Sequence, residues 1–337
     1  MTGGGAPGAP GILKCLQANP VFQITVADAN PHAVGRYLHA GFEVIPLASA
    51  ENFIESLLSL CKRKNIHVVL PLVTKELLPL ALNKQQFASG NIKVLVSDAP
   101  SLEIAINKSS LYEFLQWRAI DVPAFRIVVT IEKFRQAVSE LGYPEKKVCF
   151  KPSVSNGSRG FRIIRNDIDD LQLLFNEKPN STYISFEEAA RILLSGTFPE
   201  LLVTEYLPGE EYSVDCLVDH GRPVLIVPRL RKKMVNGISV EGEFIHEESI
   251  INYCDKVLKA LHLHGNIGLQ VKKSSAGKFL ILEINPRVQG TIVAAFGAGV
   301  NLPVLALKQE LKLPVKPEEL QVKWGTKFSR FWEEVYY

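Results

Sequence analysis

The chain has 337 residues, 47% of them hydrophobic, enough to bury a large core in two or three domains. Its charged residues, 22% of the total and evenly mixed, leave a formal net charge of +3, which argues against both a nucleic-acid footprint and an acidic tail. Five scattered cysteines (Cys15, Cys61, Cys149, Cys216 and Cys254) lack metal-ligand spacing and read as buried free thiols in a reducing cytoplasm. No apolar run approaches the roughly 20 residues that span a bilayer, and the N-terminus lacks the basic-then-apolar pattern of a signal peptide. The expectation is a cytoplasmic protein with no membrane and no nucleic-acid partner.

The chain opens on a glycine-rich stretch, followed by a helical segment at Ile12–Leu16 and an expected strand from Val21 to Ala27 ending in Asp28. Gly3, Gly5 and Gly8 satisfy G-x-G-x-x-G, and Asp28, twenty residues beyond Gly8, completes a dinucleotide-binding spacing. The strand that should precede those glycines is missing, so it is expected upstream or the loop is held another way. Phe53, Ile54, Leu57, Leu58 and Cys61 recur at helical spacing, while Ile66–Leu70 and Lys93–Ser97 read as strands. Strand and helix in alternation imply a doubly wound parallel sheet over residues 1–106. Loops at the carboxyl ends of such strands, here around Asp28 and Thr74–Glu76, are where ligands bind.

Asn107 is a natural N-cap for a helix carrying Leu111, Phe114 and Leu115, with Lys108 in its first turn. A strand at Phe125–Val129, a helix at Ile131–Leu141 and a strand at Lys147–Pro152 follow. That last strand feeds the small-residue loop Ser153–Gly160, and Phe161–Arg165 returns as another strand. Such a loop either is a flexible hairpin or lets backbone N–H groups approach phosphate oxygens. Lys151, on an apolar strand just before the loop, favours phosphate, because a buried ammonium needs an anionic partner. Helical patterns then occur at Leu171, Leu174 and Phe175 and at Ala189, Ile192 and Leu193. A strand, a Pro208–Gly209 turn and a second strand form a natural hinge, whose backbone could read the edge of a flat ring. Glu211, just past the turn, suits the vicinal hydroxyls of a sugar.

Pro228–Lys233 is the densest basic cluster, and Arg229 and Arg231 alternate around Leu230, so a strand points both to one face. Met234–Phe244, rich in glycine, is expected to be a mobile substrate loop. A helix at Ile250–Leu263 should be capped by Gly265, with His262 and His264 as surface or helix-end residues. Gly268–Arg287 then reads as a hairpin turning near Ala276 and Gly277. Alternation puts Glu283 and Asn285 on one side, and counting back across the turn sets Gln270 roughly opposite Glu283. Three hard oxygen donors with little charge suit magnesium, although a strand with a solvated polar side gives the same spacing. A helix around Leu302–Leu311 and a strand-like aromatic tail at Thr326–Tyr337 complete the chain.

In their order these motifs resemble the ATP-grasp superfamily, specifically the ATP-binding halves of the carbamoyl-phosphate synthase large subunit and related carboxylate–amine ligases. The resemblance rests on the Lys151 strand with its glycine loop, Glu205-Tyr206-Leu207, Glu211, Gln270 and Glu283-Ile-Asn-Pro-Arg287. It implies an α/β chain: a Rossmann-like pre-ATP-grasp domain over 1–106, its first strand apparently truncated, and an ATP-grasp fold of two α+β subdomains over 107–206 and 207–337, with ATP held between them. By family role, Lys108 and Lys151 contact the phosphates, and the loop with Ser155, Gly157, Ser158 and Gly160 covers them. Glu205, Tyr206 and Leu207 meet the adenine, and Glu211 holds the ribose. Gln270, Glu283 and Asn285 bind Mg2+ (or Mn2+), Arg287 lies beside the transferring phosphate, and Arg229 or Arg231 faces the γ-phosphate or the substrate carboxylate, as planar guanidinium forks favour.

The implied activity is an ATP- and Mg-dependent ligase that activates a small carboxylate as an acylphosphate for attack by an amine or similar nucleophile. The sequence holds one such unit and no glutaminase-like Cys/His arrangement, which argues against complete carbamoyl-phosphate synthesis by this chain alone. Two alternatives remain: a subunit that phosphorylates bicarbonate or carbamate with a partner chain supplying ammonia, and a non-catalytic nucleotide-binding protein. A homo-oligomer is left open.

Overall fold

The computed structural model describes residues 1–155, 159–167, 182–235 and 237–337. They form two compact units: Met1–Ile106 with Glu210–Val271 and Leu282–Tyr337, and Asn107–Gly209 with Lys272–Ile281. No helix among the described residues is long and apolar enough to cross a membrane.

The N-terminal part of the first unit is built on short parallel strands. β1 (Val26–Asp28) pairs with β2 (Phe42–Val44), and β3 (Val68–Val69) with β4 (Lys93–Val94). Thr2 bridges in parallel to both Ala27 and Pro71, so Met1–Thr2 links the two pairs into one parallel layer. Strands are shorter than their apolar runs suggest: Val21 is 70% exposed, and pairing begins only at Val26. The expected Thr74–Glu76 loop is instead the start of a helix, Thr74–Leu82, whose Leu77 and Leu80 pack with Phe53, Leu57, Leu60, Phe87 and Val94. The glycine-rich opening serves packing. A Cβ on Gly8 would come within 2.4 Å of Gly290 Cα, and Gly5 N–H donates to Asp28 Oδ2 at 2.7 Å.

The second unit carries a five-stranded sheet in the order β5-β9-β6-β7-β8. Its strands are β5 (Phe125–Val128), β6 (Val148–Pro152), β7 (Arg162–Ile164), β8 (Tyr183–Ile184) and β9 (Leu201–Glu205). Helices Ile131–Glu140 and Phe186–Leu193 contribute Phe134, Ala137, Val138 and Ala189 to a core shared with Val148, Phe150 and Val203. Side-chain caps start three helices of this unit, of which the one at Asn107 is expected from the sequence. Asn107 accepts from the N–H groups of Ser109 and Ser110, Thr130 from Lys133, and Ser185 from Glu188. The helical pattern at Leu171, Leu174 and Phe175 lies outside the described residues.

The rest of the first unit is a sheet in the order β14-β13-β10-β11-β12-β15. It comprises β10 (Glu211–Asp219), β11 (Arg222–Val235), β12 (Ile238–Phe244), β13 (Gly265–Lys273), β14 (Phe279–Asn285) and β15 (Lys327–Ser329). Two expectations change here. The Met234–Phe244 segment is not a loop: β12 runs antiparallel to β11, from Val235 paired with Ile238 to Arg229 paired with Phe244. Its glycine marks tight packing, since a Cβ on Gly242 would sit 2.6 Å from the Leu230 carbonyl oxygen. The helix Glu248–Leu261 is capped by His262 in the left-handed region (φ 49°), and Gly265 instead opens β13. The core joins helices Ala9–Gln17 and Leu302–Glu310 to strand residues Leu217, Val227 and Phe244. All five cysteines are free and buried, as the apolar patterns imply.

Candidate functional site

In the second unit, the polar residues before and after β6 gather around the start of helix Lys108–Trp117. Lys108 N–H donates to the Ser153 carbonyl at 2.8 Å, and the hydroxyls of Ser109 and Ser153 are 2.5 Å apart. Lys108 is buried, and its ammonium donates to the Ser155 carbonyl at 2.6 Å. Lys151 is also buried, with Nζ 5.5 Å from the centre of the Tyr112 ring, while the Tyr112 hydroxyl donates to the Ile281 carbonyl at 2.7 Å. The helix cap thus brings Lys108 to the serine-rich turn, and β6 carries Lys151 just before it. Gly160, at φ 77°, ends the loop where a Cβ would strike Pro152 at 2.6 Å. Gly157 and Ser158 lie outside the described residues.

The strand that should meet a flat ring ends in this unit as well. Glu205 N–H donates to the Ala124 carbonyl at 2.9 Å, and its Oε1 accepts the Ala124 N–H at 2.8 Å. Tyr206 lies under the Lys272 ammonium, 5.0 Å from ring centre, and burial pushes its phenol up from the usual value. Leu207 is buried. Gly209 N–H donates to the Lys273 carbonyl, and a Cβ there would lie 2.7 Å from that oxygen, which explains the glycine of the turn.

In the first unit, β13 and β14 are neighbouring strands with largely buried faces, broken at Gln270, Glu283 and Asn285, which are half-buried. Asn285 Nδ2 is 3.4 Å from Glu283 Oε1, and Arg287 Nη2 is 3.4 Å from Asn285 Oδ1. These contacts are long. One carboxylate and two amide oxygens form a hard donor set that fits Mg2+. Arg287 is fixed more firmly, with Nε donating to Thr74 Oγ1 at 3.0 Å and Nη1 to the Val288 carbonyl at 2.8 Å. Burial lowers its guanidinium pKa, and Glu283 opposes the effect. Thr74 opens the helix that also carries Glu76, a buried carboxyl that accepts the Thr2 hydroxyl and is pushed up to about 7 by burial.

The two arginines of β11 differ. Arg231 donates to Glu211, to Ser239 Oγ at 3.1 Å and to the Gly237 carbonyl at 2.5 Å. Glu211 and Arg231, read separately from the sequence for a sugar and for an anion, thus form one pair. Arg229 is 0% exposed, with one hydrogen bond at 3.3 Å to the equally buried Asp215 and its Cζ 5.4 Å from the centre of the Phe328 ring. Asp215 and Tyr112 escaped sequence reasoning; their only local signal was a polar residue in an apolar stretch.

Residues 197–329 match the family described as ATP-grasp in the biosynthetic pathway with Ter operon, and residues 12–95 match the PylC-like N-terminal domain. The carbamoyl phosphate synthase large chain of Caldanaerobacter subterraneus subsp. tengcongensis is 24% identical over 314 residues, covering 89% of this chain and 26% of that protein. The chain thus spans about a quarter of that relative's length. Among solved structures, carboxyaminoimidazole ribonucleotide synthase from Aspergillus clavatus, complexed with ATP, aligns with 95% of this chain and 78% of its own at TM-score 0.70 and 16% identity. Biotin carboxylase from Campylobacter jejuni, in a β,γ-ATP complex, covers 94% of this chain and 72% of its own at TM-score 0.68 and 16% identity. At such identities the structures establish a shared fold, and the expected class, a Rossmann-like domain ahead of an ATP-grasp fold, is borne out.

Proposed function

From the matches of residues 197–329 to an ATP-grasp family and of residues 12–95 to the PylC-like N-terminal domain, we propose that the chain is an ATP- and Mg-dependent ligase. It activates a small carboxylate as an acylphosphate, which an amine or similar nucleophile then attacks. The observation that carries this reading is the set of half-buried oxygen donors Gln270, Glu283 and Asn285 on neighbouring strands, with Arg287 anchored beside them. When bound there, Mg2+ would neutralise charge on the polyphosphate and on the transferring phosphoryl group.

The chain's own residues supply binding and orientation. Lys108 and Lys151 are the candidate phosphate cations, and Lys108 is already directed at the serine turn by the Ser155 carbonyl. Glu205, Tyr206 and Leu207 are the candidate adenine contacts, and Glu211, oriented by Arg231, the ribose contact. The substrate carboxylate oxygen attacks the γ-phosphorus as the bond to ADP breaks. The amine then attacks the acyl carbon, phosphate leaves with the bonding pair, and the amine gives up a proton. Arg287 keeps its positive charge through both steps, because a guanidinium does not deprotonate in a protein. The end of β1 at Asp28 and the helix start at Thr74–Glu76 are the candidate acceptor pocket, and the Arg287–Thr74 hydrogen bond supports that reading.

The test is ADP release from Mg-ATP over a panel of small carboxylates and amines. A productive pair should release ADP only when both are present, and Glu283→Ala should lose that release while keeping its fold. Full turnover by Glu283→Ala would sink the metal assignment, and tight nucleotide binding without ADP release for any pair would sink the ligase reading.

A further inference from the structure

Neither arginine of β11 is available for the anion-binding role expected of it. Arg229 is fully buried against Asp215, and the fork of Arg231 is taken by Glu211, Ser239 and the Gly237 carbonyl. A third arginine lies on the same face of the sheet. Arg330 N–H donates to the Val240 carbonyl at 2.7 Å, which carries the β12–β15 pairing one residue past Ser329. Alternation therefore puts Arg330 on the side of Phe328 rather than that of Lys327 and Ser329. The Phe328 ring marks that side, with its centre 5.4 Å from Arg229 Cζ and 6.2 Å from the centre of the Phe244 ring.

The Arg330 side chain is half-buried. Among the described residues its one hydrogen bond runs from Nη1 to Thr291 Oγ1 at 3.4 Å, which is long. Burial lowers its guanidinium pKa, and no carboxylate of the described residues opposes that shift. Its neighbours do not compensate for it either. Burial, and then repulsion by Arg231 and Arg330, lowers the Arg229 guanidinium against the pull of Asp215. Arg229 and Arg231 each have a carboxylate on β10, whereas Arg330 has none, so this face carries a surplus positive charge. A half-buried charge in that position is stabilised by an anion that enters beside it.

Thr291 fixes where that charge lies. It is buried and comes four residues after Arg287. Arg287 donates to Thr74 at one end of this short segment, and Arg330 donates to Thr291 at the other. Four residue steps span at most about 14 Å of fully extended chain, and this stretch is turned, with Ile292 N–H donating to the Gln289 carbonyl. Arg330 thus stands close to the turn that follows the donors Glu283 and Asn285.

Resting on the ligase reading above, we propose that Arg330 binds the carboxylate group of the substrate. Its guanidinium donates to one carboxylate oxygen and leaves the other to attack the γ-phosphorus, a planar fork being suited to that anion. The polyphosphate has its own candidate cation in Arg287, which a hydrogen bond ties to Asn285.

The test compares the full chain with Arg330→Ala and Arg330→Lys, each checked for its fold by circular dichroism. Acetate, succinate, glycine, L-alanine and L-glutamate are added at millimolar concentration to the Mg-ADP complex, and Tm is read. At least one should raise the Tm of the parent. Arg330→Ala should lose that rise and keep the one due to Mg-ADP, and Arg330→Lys should keep part of both. In turnover, Arg330→Ala should raise the KM for the carboxylate by about 10–100-fold and leave the KM for ATP unchanged. Carboxylate binding that needs Arg330, without ADP release for any pair, would support this site and sink the ligase reading. The proposal is overturned if the parent binds none of these carboxylates, if Arg330→Ala binds them as the parent does, or if the KM for ATP rises instead.

Discussion

Arg229 and Arg231 stand two residues apart on one strand, each with a carboxylate on the neighbouring β10, yet their surroundings differ. The Arg231–Glu211 pair is 4% and 18% exposed, and the guanidinium has three acceptors. Arg229 and Asp215 are both 0% exposed, with Nε and Nη1 of the arginine and Oδ1 of the aspartate lacking a hydrogen-bond partner among the described residues. Burying two charges costs several kcal/mol each, and one hydrogen bond of 3.3 Å does little to offset that. The Phe328 ring supplies a further weak attraction. One arginine is thus satisfied and positioned at an edge, while the other is held in the core at a loss.

The sharpest way to break this contrast is to remove each guanidinium. Arg229→Ala leaves Asp215 as an uncompensated buried charge and should destabilise the fold by about 3–5 kcal/mol, read as a lower urea midpoint. Replacing the pair by apolar residues, Arg229→Met with Asp215→Leu, should restore most of that loss. A double variant as unstable as the single one would show that Arg229 acts by something other than its charge. Arg231→Ala should leave the urea midpoint closer to the parent and act on nucleotide binding instead. If Glu211 meets the ribose, losing its orienting partner should raise the KM for ATP by about tenfold, roughly 1.4 kcal/mol. Arg231→Lys should not rescue it, because one ammonium cannot reach three acceptors in the geometry of a fork.

Both arginines were visible in the sequence, but the difference between them was not. Alternation around Leu230 gives a shared face, whereas burial depends on what packs there, and Phe328 is about a hundred residues away. The same limit explains the corrected segments. The spacing of Ile238, Val240 and Phe244 is compatible with a strand, but its pairing with β15 is long-range, and Gly242 looked like mobility until Leu230 was seen against it. His264 could not be separated from a helix-end residue without Glu310, 46 positions on, against which it is buried. What local chemistry encodes was legible: the cap at Asn107, the α/β alternation, and three oxygen-bearing residues interrupting apolar strands.

Acid pH offers a gentler probe of the buried pair. Burial raises the Asp215 carboxyl above its ordinary value, and Arg229 only partly opposes this. The folded state therefore binds this proton more tightly than the unfolded chain does. The stability it contributes is complete below the ordinary carboxylate value of about 3.9 and is lost as pH rises through the raised folded value. Asp215→Asn should remove this dependence, so the difference in unfolding free energy between parent and variant should shift against the parent on going from acid to neutral pH. The slope should not exceed about 1.4 kcal/mol per pH unit. A difference independent of pH would mean that folding leaves the carboxyl unshifted, and a shift in favour of the parent would mean that Arg229 holds it charged.

A buried polar contact without charge sets the lower end of the scale. In the second unit, the Tyr112 hydroxyl donates to the Ile281 carbonyl at 2.7 Å from a fully buried ring. Tyr112→Phe keeps the ring beneath the Lys151 ammonium and deletes only the donor. The expected loss is about 1 kcal/mol, because a neutral hydrogen bond nets little once water is accounted for and a carbonyl tolerates losing one partner. Measured beside Arg229→Ala, this variant separates the cost of an unmet charge from that of an unmet dipole. A loss for Tyr112→Phe as large as that for Arg229→Ala would mean that incomplete charge pairing is not what sets Arg229 apart.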